Sequence, residues 1–489
     1  MTVPQAGAAL ILRRSDGTVL TGIRTALARS WQGTIAFPGG AVDDTDQELP
    51  LMSGLRGPEG VRRAAALRES LEEAGVVRLC STSGGPVDVA AVIAAVRSGC
   101  SLQAGLQAAC AVLDDRNLVS LGSWLTAEGT FEVTRFLLAA DDVVQVTPLV
   151  TELCDLAFRS PRALVEGWSR GTFFLLPPIR AVLHRLAEHE DVNVVNDDGA
   201  LVSSLALPPS EAQRRRRDLI DGVVVIDTRT PTLAPATHTN CVVLGTTDVL
   251  LVDPATPYDD EQERFDDVLA TILEGRAVRG VFLTHHHQDH MGDATRLARL
   301  HRCPVYAHAE TIARVDLGAD IDMVRVSDGD DFALGTRCFR AVFTPGHAPG
   351  HLCLFDAAAR MLIAGDMIAG IGSILIDPPE GHMSTYLASL DRLIALQPRA
   401  LVPAHGPLLV DATSRLSEQK QHRLRRQASV VAAIAAGAED VHAVVLAVYG
   451  QDTPEAMFAF AARSVVAIVQ KLQEDAVVVE VDGRWRSAA

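Results

Sequence analysis

Residues 280–293 read GVFLTHHHQDHMGD, and this stretch decides the fold of the second half of the chain. An apolar strand, Val281 to Leu283, runs into His285, His286, His287, Asp289 and His290. In extended backbone, residues two apart point the same way, so His285 and His287 converge on one metal ion. Asp289 and His290, at the turn into the next helix, are placed for a second. Imidazole nitrogen with carboxylate oxygen suits Zn²⁺, and also Fe or Mn. Three later segments repeat the design: FRAVFTPGHAPGH delivers His347, RMLIAGD delivers Asp366, and RALVPAHGP delivers His405. Each time an apolar strand ends in a polar ligand beside a Gly that permits tight backbone geometry. If these strands share a sandwich, the ligands lie along one edge. Of the 15 histidines, thirteen lie after residue 230, which concentrates metal chemistry in that half.

This constellation resembles the metallo-β-lactamase superfamily, whose pattern HxHxDH…H…D…H is met in full and in order between about residues 222 and 410. The resemblance implies an αββα sandwich. It implies one metal held by His285, His287 and His347, and another by Asp289, His290 and His405, with Asp366 bridging. His286, His301, His308 and His382 match no ligand position and read as structural or surface residues. His351 fits the second His of the GHxxGH turn and reads as a support for the ligands. Two divalent cations lower the pKa of a bound water to about 7, giving a hydroxide that attacks a carbonyl or phosphorus centre. Asp289 and Asp366 are then the catalytic carboxylates. A bridging Asp resembles the glyoxalase II, lactonase and nuclease branches, and argues against β-lactam hydrolysis.

From about residue 411 the texture turns helical and closes with VVVEVDGRW, a strand pair around Asp482-Gly483. This tail resembles the winged-helix-like appendage of the lactamase-like endoribonuclease branch, with His422-Arg423 and Tyr449 where that appendage carries HR and Y. From Arg415 to Ala489 the tail carries nine basic and nine acidic residues, so it is no basic nucleic-acid surface. Packing or homodimerisation through the appendage is the favoured reading over RNA binding.

The first half holds VRRAAALRESLEEAGV, residues 61–76, which reads as a helix with an apolar stripe and a stop at Gly75. Glu69, Glu72 and Glu73 share one face at i, i+3 and i+4. Hard oxygen ligands of this kind suit Mg²⁺ or Mn²⁺. Upstream lies IAFPGGAVD, and RESLEEAGV matches the REUxEExGU half of the Nudix box. The segment therefore resembles Nudix hydrolases, which cleave nucleoside diphosphates linked to another group. The consensus Gly-x5-Glu-x7 is interrupted by an insertion from Asp43 to about Gly60, and Gly60 falls where the box Glu is expected. Arg24, Arg29 and Gly33, with Gly39 and Gly40 of FPGG, follow the spacing of the coenzyme A-type motif. On that resemblance Glu72 and Glu73 are catalytic, Glu69 joins them on the metal, and Arg24, Arg29, Gly39 and Gly40 bind the substrate. Glu152 offers a fourth carboxylate.

Composition frames both halves. With 489 residues, 48% hydrophobic and 21% charged, the chain has full-sized cores for several domains. A net charge of −17 excludes a general nucleic-acid or anionic-membrane binder, although a local RNA site remains open. Eight scattered cysteines without a CxxC pair read as reduced thiols of a cytoplasmic protein. No apolar run is long enough for a membrane span, and the N-terminus lacks the order of a signal peptide. The scarcity of Lys beside abundant Arg and Ala fits a GC-rich bacterial genome. The predicted fold class is α/β and α+β multidomain, in four parts. These are a Nudix-like αβα sandwich (1–190), a linker (191–220), a metallo-β-lactamase αββα sandwich (221–410) and a small helical winged-helix-like appendage (411–489). The expected function is metal-dependent hydrolysis of a small-molecule thioester, ester or phosphodiester, with the first domain cleaving coenzyme A or a nucleotide pyrophosphate. The alternative is an endoribonuclease on single-stranded RNA, with the first domain a non-catalytic binding module.

Overall fold

The computed structural model describes residues 4–25, 32–125, 131–140, 146–188, 215–450 and 455–488. The chain folds as two compact units, Met1–Asp221 and Gly222–Ala489. No helix among the described residues is long and apolar enough to cross a membrane.

In the first unit one mixed sheet is centred on Gln5–Arg13, which runs parallel to Phe131–Ala139 and antiparallel to Val19–Arg24 and Gly39–Ala41. The helix Gly57–Ala74 lays Ala64, Leu67, Leu71 and Ala74 on that sheet, against Leu10, Leu12, Leu20 and Phe136. It begins earlier than the expected residue 61 because Pro58 presets the first turn. It ends where Gly75 turns left-handed, with φ 70°. The expected linker lies largely outside the described residues, but its last residues form the strand Arg216–Ile220, and Arg216 pairs with Asp218.

The second unit carries two sheets. In the first, Val249–Val252, Val278–Phe282, Val305–His308 and Met323–Val326 run parallel, with Val223–Arg229 and His238–Leu244 added antiparallel at one side. Parallel neighbours need crossover connections, supplied here by the helices Asp259–Leu273 and Ala294–His301. The second sheet runs in the order Asp331–Leu334, Arg337–Phe343, Leu352–Asp356, Met361–Gly365, Ala400–Pro403, Leu409–Val410. Its one parallel pair, Met361–Gly365 with Ala400–Pro403, is bridged by the helix Met383–Ala395. Phe332 of the second sheet meets Phe282 and Tyr306 of the first edge-on, at 5.6 and 5.3 Å, closing the interior between the sheets. Both sheets are read from near-continuous apolar strands such as VLLV and MLIAG, buried on both faces.

The tail is not a separate body. Its helices Ala412–Ala435, Val441–Tyr449 and Glu455–Glu474 share one core with the second sheet, where Leu416, Val430, Val444 and Val465 pack with Leu362, Leu390 and Leu401. The hydrophobic core therefore continues across the change of texture at 411. The closing hairpin pairs Val478–Val481 with Arg484–Ser487. Asp482 and Gly483 both take positive φ, 53° and 71°, as a tight two-residue turn requires.

Candidate metal centre

Five strands deliver polar residues at their C-terminal ends: Asp253, the run His285–His290, His347, Asp366 and His405. His285 Nε2 lies 2.9 Å from His287 Nδ1, and His347 Nε2 lies 3.3 and 3.1 Å from those two atoms. Three imidazole nitrogens this close cannot all carry protons. Tetrahedral zinc with Zn–N of roughly 2.0–2.1 Å holds its nitrogens about 3.3 Å apart, so the trio has the spacing of three zinc ligands. A second group, Asp289, His290 and His405, also brings its ligand atoms within 4.8 Å of one another, as do His285, His290 and Asp366. Asp366 stands between: its Oδ2 is 3.4 Å from His347 Nε2, and its Oδ1 is 3.5 Å from His405 Nε2 and 3.7 Å from His290 Nε2. His290 Nε2 and Asp366 Oδ1 are buried and have no hydrogen-bond partner among the described residues. Buried polar atoms are seldom left so, and a divalent cation fits the donors present.

The far side of four of the rings is anchored. His290 Nδ1 donates to Asp253 Oδ2 at 2.9 Å, His347 Nδ1 to the Leu375 carbonyl at 2.8 Å, and His405 Nδ1 to the His238 carbonyl at 3.0 Å. His285 Nδ1 meets the Thr284 hydroxyl at 3.0 Å. Such partners fix the tautomer and leave the site-facing nitrogen free to ligate. His351 uses both nitrogens elsewhere: Nε2 accepts the Asp366 N–H at 3.0 Å and Nδ1 meets the Thr344 hydroxyl at 2.8 Å. It positions the backbone of Asp366.

Charge follows burial. Burial and the neighbouring imidazoles hold His285 well below the usual histidine range, and His287 is brought down to about 3 by burial and by His347. Burial likewise lowers His347. Burial opposes a charge on His290, but Asp366, Asp253 and Asp289 outweigh it and raise its pKa well above the usual value. Burial also opposes ionisation of Asp366, and His290, His405 and His347 overcome it and keep the carboxylate ionised. The lowered trio His285, His287 and His347 beside the ionised Asp366 is a donor set a divalent cation takes, and a cation would displace the proton held by His290.

Sequence reading missed several residues. Asp253 accepts from Thr284 N, Thr284 Oγ1 and His290, yet its signal, the apolar strand VLLV running into Asp, was the one used for Asp366. The strand His238–Leu244 gave no motif, but the Thr239 hydroxyl donates to the Asp289 carbonyl, and Asn240 Nδ2 donates to the carbonyls of Pro403 and Gly406 on both sides of His405. Thr232 lies over the site, 3.4 Å from His405 Nε2. Among the unassigned histidines, His286 meets Glu380 at 2.9 Å, His308 stacks on Phe343, and His382 caps the helix Met383–Ala395.

A cleft of about 560 Å³ opens over the centre. His287, Asp289, His347, Asp366 and His405 form its floor, and Leu233, Pro235, Ile371, Ile374 and Leu375 supply much of its wall. Arg463 is the sole Arg or Lys among the lining residues, and it pairs with Asp377 at 3.1 Å.

In the first unit Glu69, Glu72 and Glu73 share the helix face but do not form a three-carboxylate cluster of the tightness seen above, among the described residues. Arg68 sits among them, with Nη1 2.9 Å from both Glu69 Oε1 and Glu72 Oε2. Glu73 is buried and accepts the Gly39 N–H at 2.7 Å. Burial pushes its carboxyl up to about 8, opposed by that hydrogen bond and by the charge of Arg24. Gly40 brings the backbone close to the Glu69 carboxylate: a Cβ there would lie 2.5 Å from Glu69 Oε1, which would have to move aside. Arg29 lies outside the described residues. The place given to Gly60 is corrected. A Cβ at 60 would lie 2.7 Å from the Leu55 carbonyl oxygen, so no Glu fits there. Counting Gly-x5 from Gly40 leads instead to Asp46, a buried carboxylate that Arg68 grips with Nε at 2.7 Å and Nη2 at 3.1 Å. The insertion follows this carboxylate and does not replace it.

Residues 234–405 match the family described as the metallo-beta-lactamase superfamily, and residues 441–485 match the beta-lactamase associated winged helix domain. The chain is 28% identical over 201 residues to the atrochrysone carboxyl ACP thioesterase dmxR1 of Cryptosporiopsis sp. (strain 8999), across 40% of this chain and 58% of that protein. It spans about half the length of the first curated relatives it matches. Among solved structures, a beta-lactamase domain protein from Burkholderia ambifaria is similar with TM-score 0.49 and 22% identity, over 56% of this chain and 93% of that one. A NUDIX hydrolase from Alicyclobacillus acidocaldarius is similar with TM-score 0.36 and 23% identity, over 43% of this chain and all of that one (100%). Residues 234–405 are thus similar to the metallo-β-lactamase superfamily, and residues 441–485 to its associated winged-helix domain.

Proposed function

We propose that the second unit hydrolyses a small thioester or ester at a dinuclear zinc-type centre. The observation that carries this reading is the cleft, whose wall beside the floor carries Leu233, Pro235, Ile371, Ile374 and Leu375, whose other charged lining residues include Asp377 and Glu380, and whose one guanidinium is already paired with Asp377. A phosphate backbone needs a positive track and stacking rings, and this lining has neither. An acyl chain fits such walls, with its carbonyl at the floor. The relative named as an ACP thioesterase supports thioester over ester.

His285, His287 and His347 would hold one ion, and Asp289, His290 and His405 the other, with Asp366 between them. Bound divalent cations supply a water of pKa about 7 and polarise the carbonyl. The protein's own work is to hold His285, His287 and His347 neutral, keep Asp366 ionised and place the acyl group against Ile371, Ile374 and Leu375.

The test is hydrolysis of an acyl-thioester series and of single-stranded RNA, with the wild type and Asp366→Asn. Thioester cleavage that falls at least about 100-fold in the variant is the expected result. RNA cleavage without thioester cleavage would replace this reading with a nuclease.

For the first unit, the cluster Asp46, Arg68, Glu69, Glu72 and Glu73 supports Mg²⁺-dependent cleavage of a nucleoside pyrophosphate such as coenzyme A. Coenzyme A hydrolysis that is lost in Glu72→Gln at matched Mg²⁺ is the expected outcome. Equal rates would leave a scaffold helix.

A further inference from the structure

Arg423 lies mid-way along the helix Ala412–Ala435, in the winged-helix tail, and is buried. Its guanidinium donates to the Ile374 carbonyl and reaches the Ser373 hydroxyl at 3.3 Å. It also lies over the ring of Tyr386, 5.6 Å from the centroid. Tyr386 is fully buried and donates its hydroxyl to the Met367 carbonyl at 2.7 Å, one residue beyond Asp366. The segment held in this way, Ile371–Leu375, lies outside any helix or strand and lines the cleft. Its next carbonyl, that of Leu375, is the one that takes His347 Nδ1 at 2.8 Å.

These contacts form a chain from the appendage to the outer nitrogen of His347, whose other nitrogen faces the site. An irregular loop has no ladder to fix its carbonyls, so an external donor must do it. A buried guanidinium with a fixed fork of donors suits that task better than a flexible ammonium. Two exposed contacts pin the same segment further on: Arg463 with Asp377, and Glu474 with both His382 at 2.7 Å and Ser384 at 2.8 Å. Exposed pairs contribute little, which leaves Arg423 as the governing contact.

We infer that Arg423 is a positioning residue of the active centre: it holds the Ile374–Leu375 backbone, and through it the orientation of His347. The appendage is then a built wall of the site. This inference rests on the metal-dependent reading given above. Outer partners of metal-ligating histidines are worth roughly 10–100-fold in metal affinity, which sets the scale of the effect.

The test measures zinc affinity of the full chain by competition with a chromophoric chelator, for the wild type, Arg423→Lys and Arg423→Ala. The expected result is two zinc ions in the wild type and a roughly 10-fold or greater weakening of one of them in both variants, the other being unchanged. A variant that melts earlier but keeps both zinc affinities would reduce Arg423 to a packing residue and overturn the inference, while thioester hydrolysis by the wild type would leave the functional reading standing. A wild type that takes up no zinc overturns both. Hydrogen exchange of the wild type, with and without zinc, covers the case in which the variants do not fold. Zinc should slow exchange in Ser373–Leu375 and in residues 419–426 together, and slowing confined to the ligand loops would overturn the inference.

Discussion

At the residue scale, Asp253 joins two functions in one carboxylate. It fixes the Thr284 backbone before His285 and it orients His290. Asp253→Asn presents an amide where two acceptor oxygens are needed, so zinc affinity should fall roughly 10–100-fold, measured by chelator competition. Unchanged affinity would mean that the His290 tautomer is set elsewhere. Glu73 makes a different prediction, about pH. Its carboxyl is raised to about 8 from an ordinary 4.5 by burial. Between those values the folded unit keeps a proton that the unfolded chain has released, so stability falls as pH rises through that window. The loss should reach the order of a few kcal/mol by pH 8 in the metal-free protein. Glu73→Gln should flatten the dependence, and Mg²⁺ should offset it if Glu73 faces the ion. Denaturant melts of the first unit at pH 5 and pH 8 decide this, and a flat wild-type profile would refute it.

At the element scale, the strand His238–Leu244 reaches from the first sheet to the group Asp289, His290 and His405. Three successive residues hold them: the His238 carbonyl takes His405, the Thr239 hydroxyl takes the Asp289 carbonyl, and Asn240 brackets the His405 loop. Asn240 is buried, so Asn240→Ala strands two carbonyls and should cost about 1–3 kcal/mol in urea unfolding of the second unit. A change within a few tenths of a kcal/mol would show that water replaces the amide. None of this strand's role was legible in the sequence, because a buried Asn acting on a distant loop leaves no local pattern. The convergence of these polar residues was legible, since strand, polar residue and Gly recur in order at His347, Asp366 and His405. The carboxylate helix was legible in type and in its stop. Spacing counted back from Arg68 leads to Gly60, where no Glu fits, whereas the buried carboxylate that Arg68 grips is Asp46, which only the folded chain brings to it. The tail's strand pair was legible from Asp482-Gly483, but its shared core was not, since the apolar stripe of a helix does not name its partner.

At the scale of the whole molecule, two chemically different donor sets occupy two compact units. Chelation should abolish thioester hydrolysis, with Zn²⁺ restoring it, whereas coenzyme A hydrolysis should return with Mg²⁺. Asp366→Asn should leave the latter untouched, and joint loss of both activities would sink the independence of the sites. The length of chain spanned by the second centre carries a further consequence, in the order of events during folding. His405 finds its anchor 167 positions away at His238, and Asn240 closes a span of 163 to Pro403. Closing spans of that length is entropically costly and slow, so the three-dimensional pocket matures late. The run His285 to His290, by contrast, is a chelating peptide from the moment it leaves the ribosome. An ion caught there before the sheets close stabilises the unfolded chain as well as the native one, which shrinks its net contribution to stability. Zinc added after refolding should therefore give more active enzyme than zinc present from the first second, and the ratio of the two yields measures how strongly that short peptide competes with the finished site.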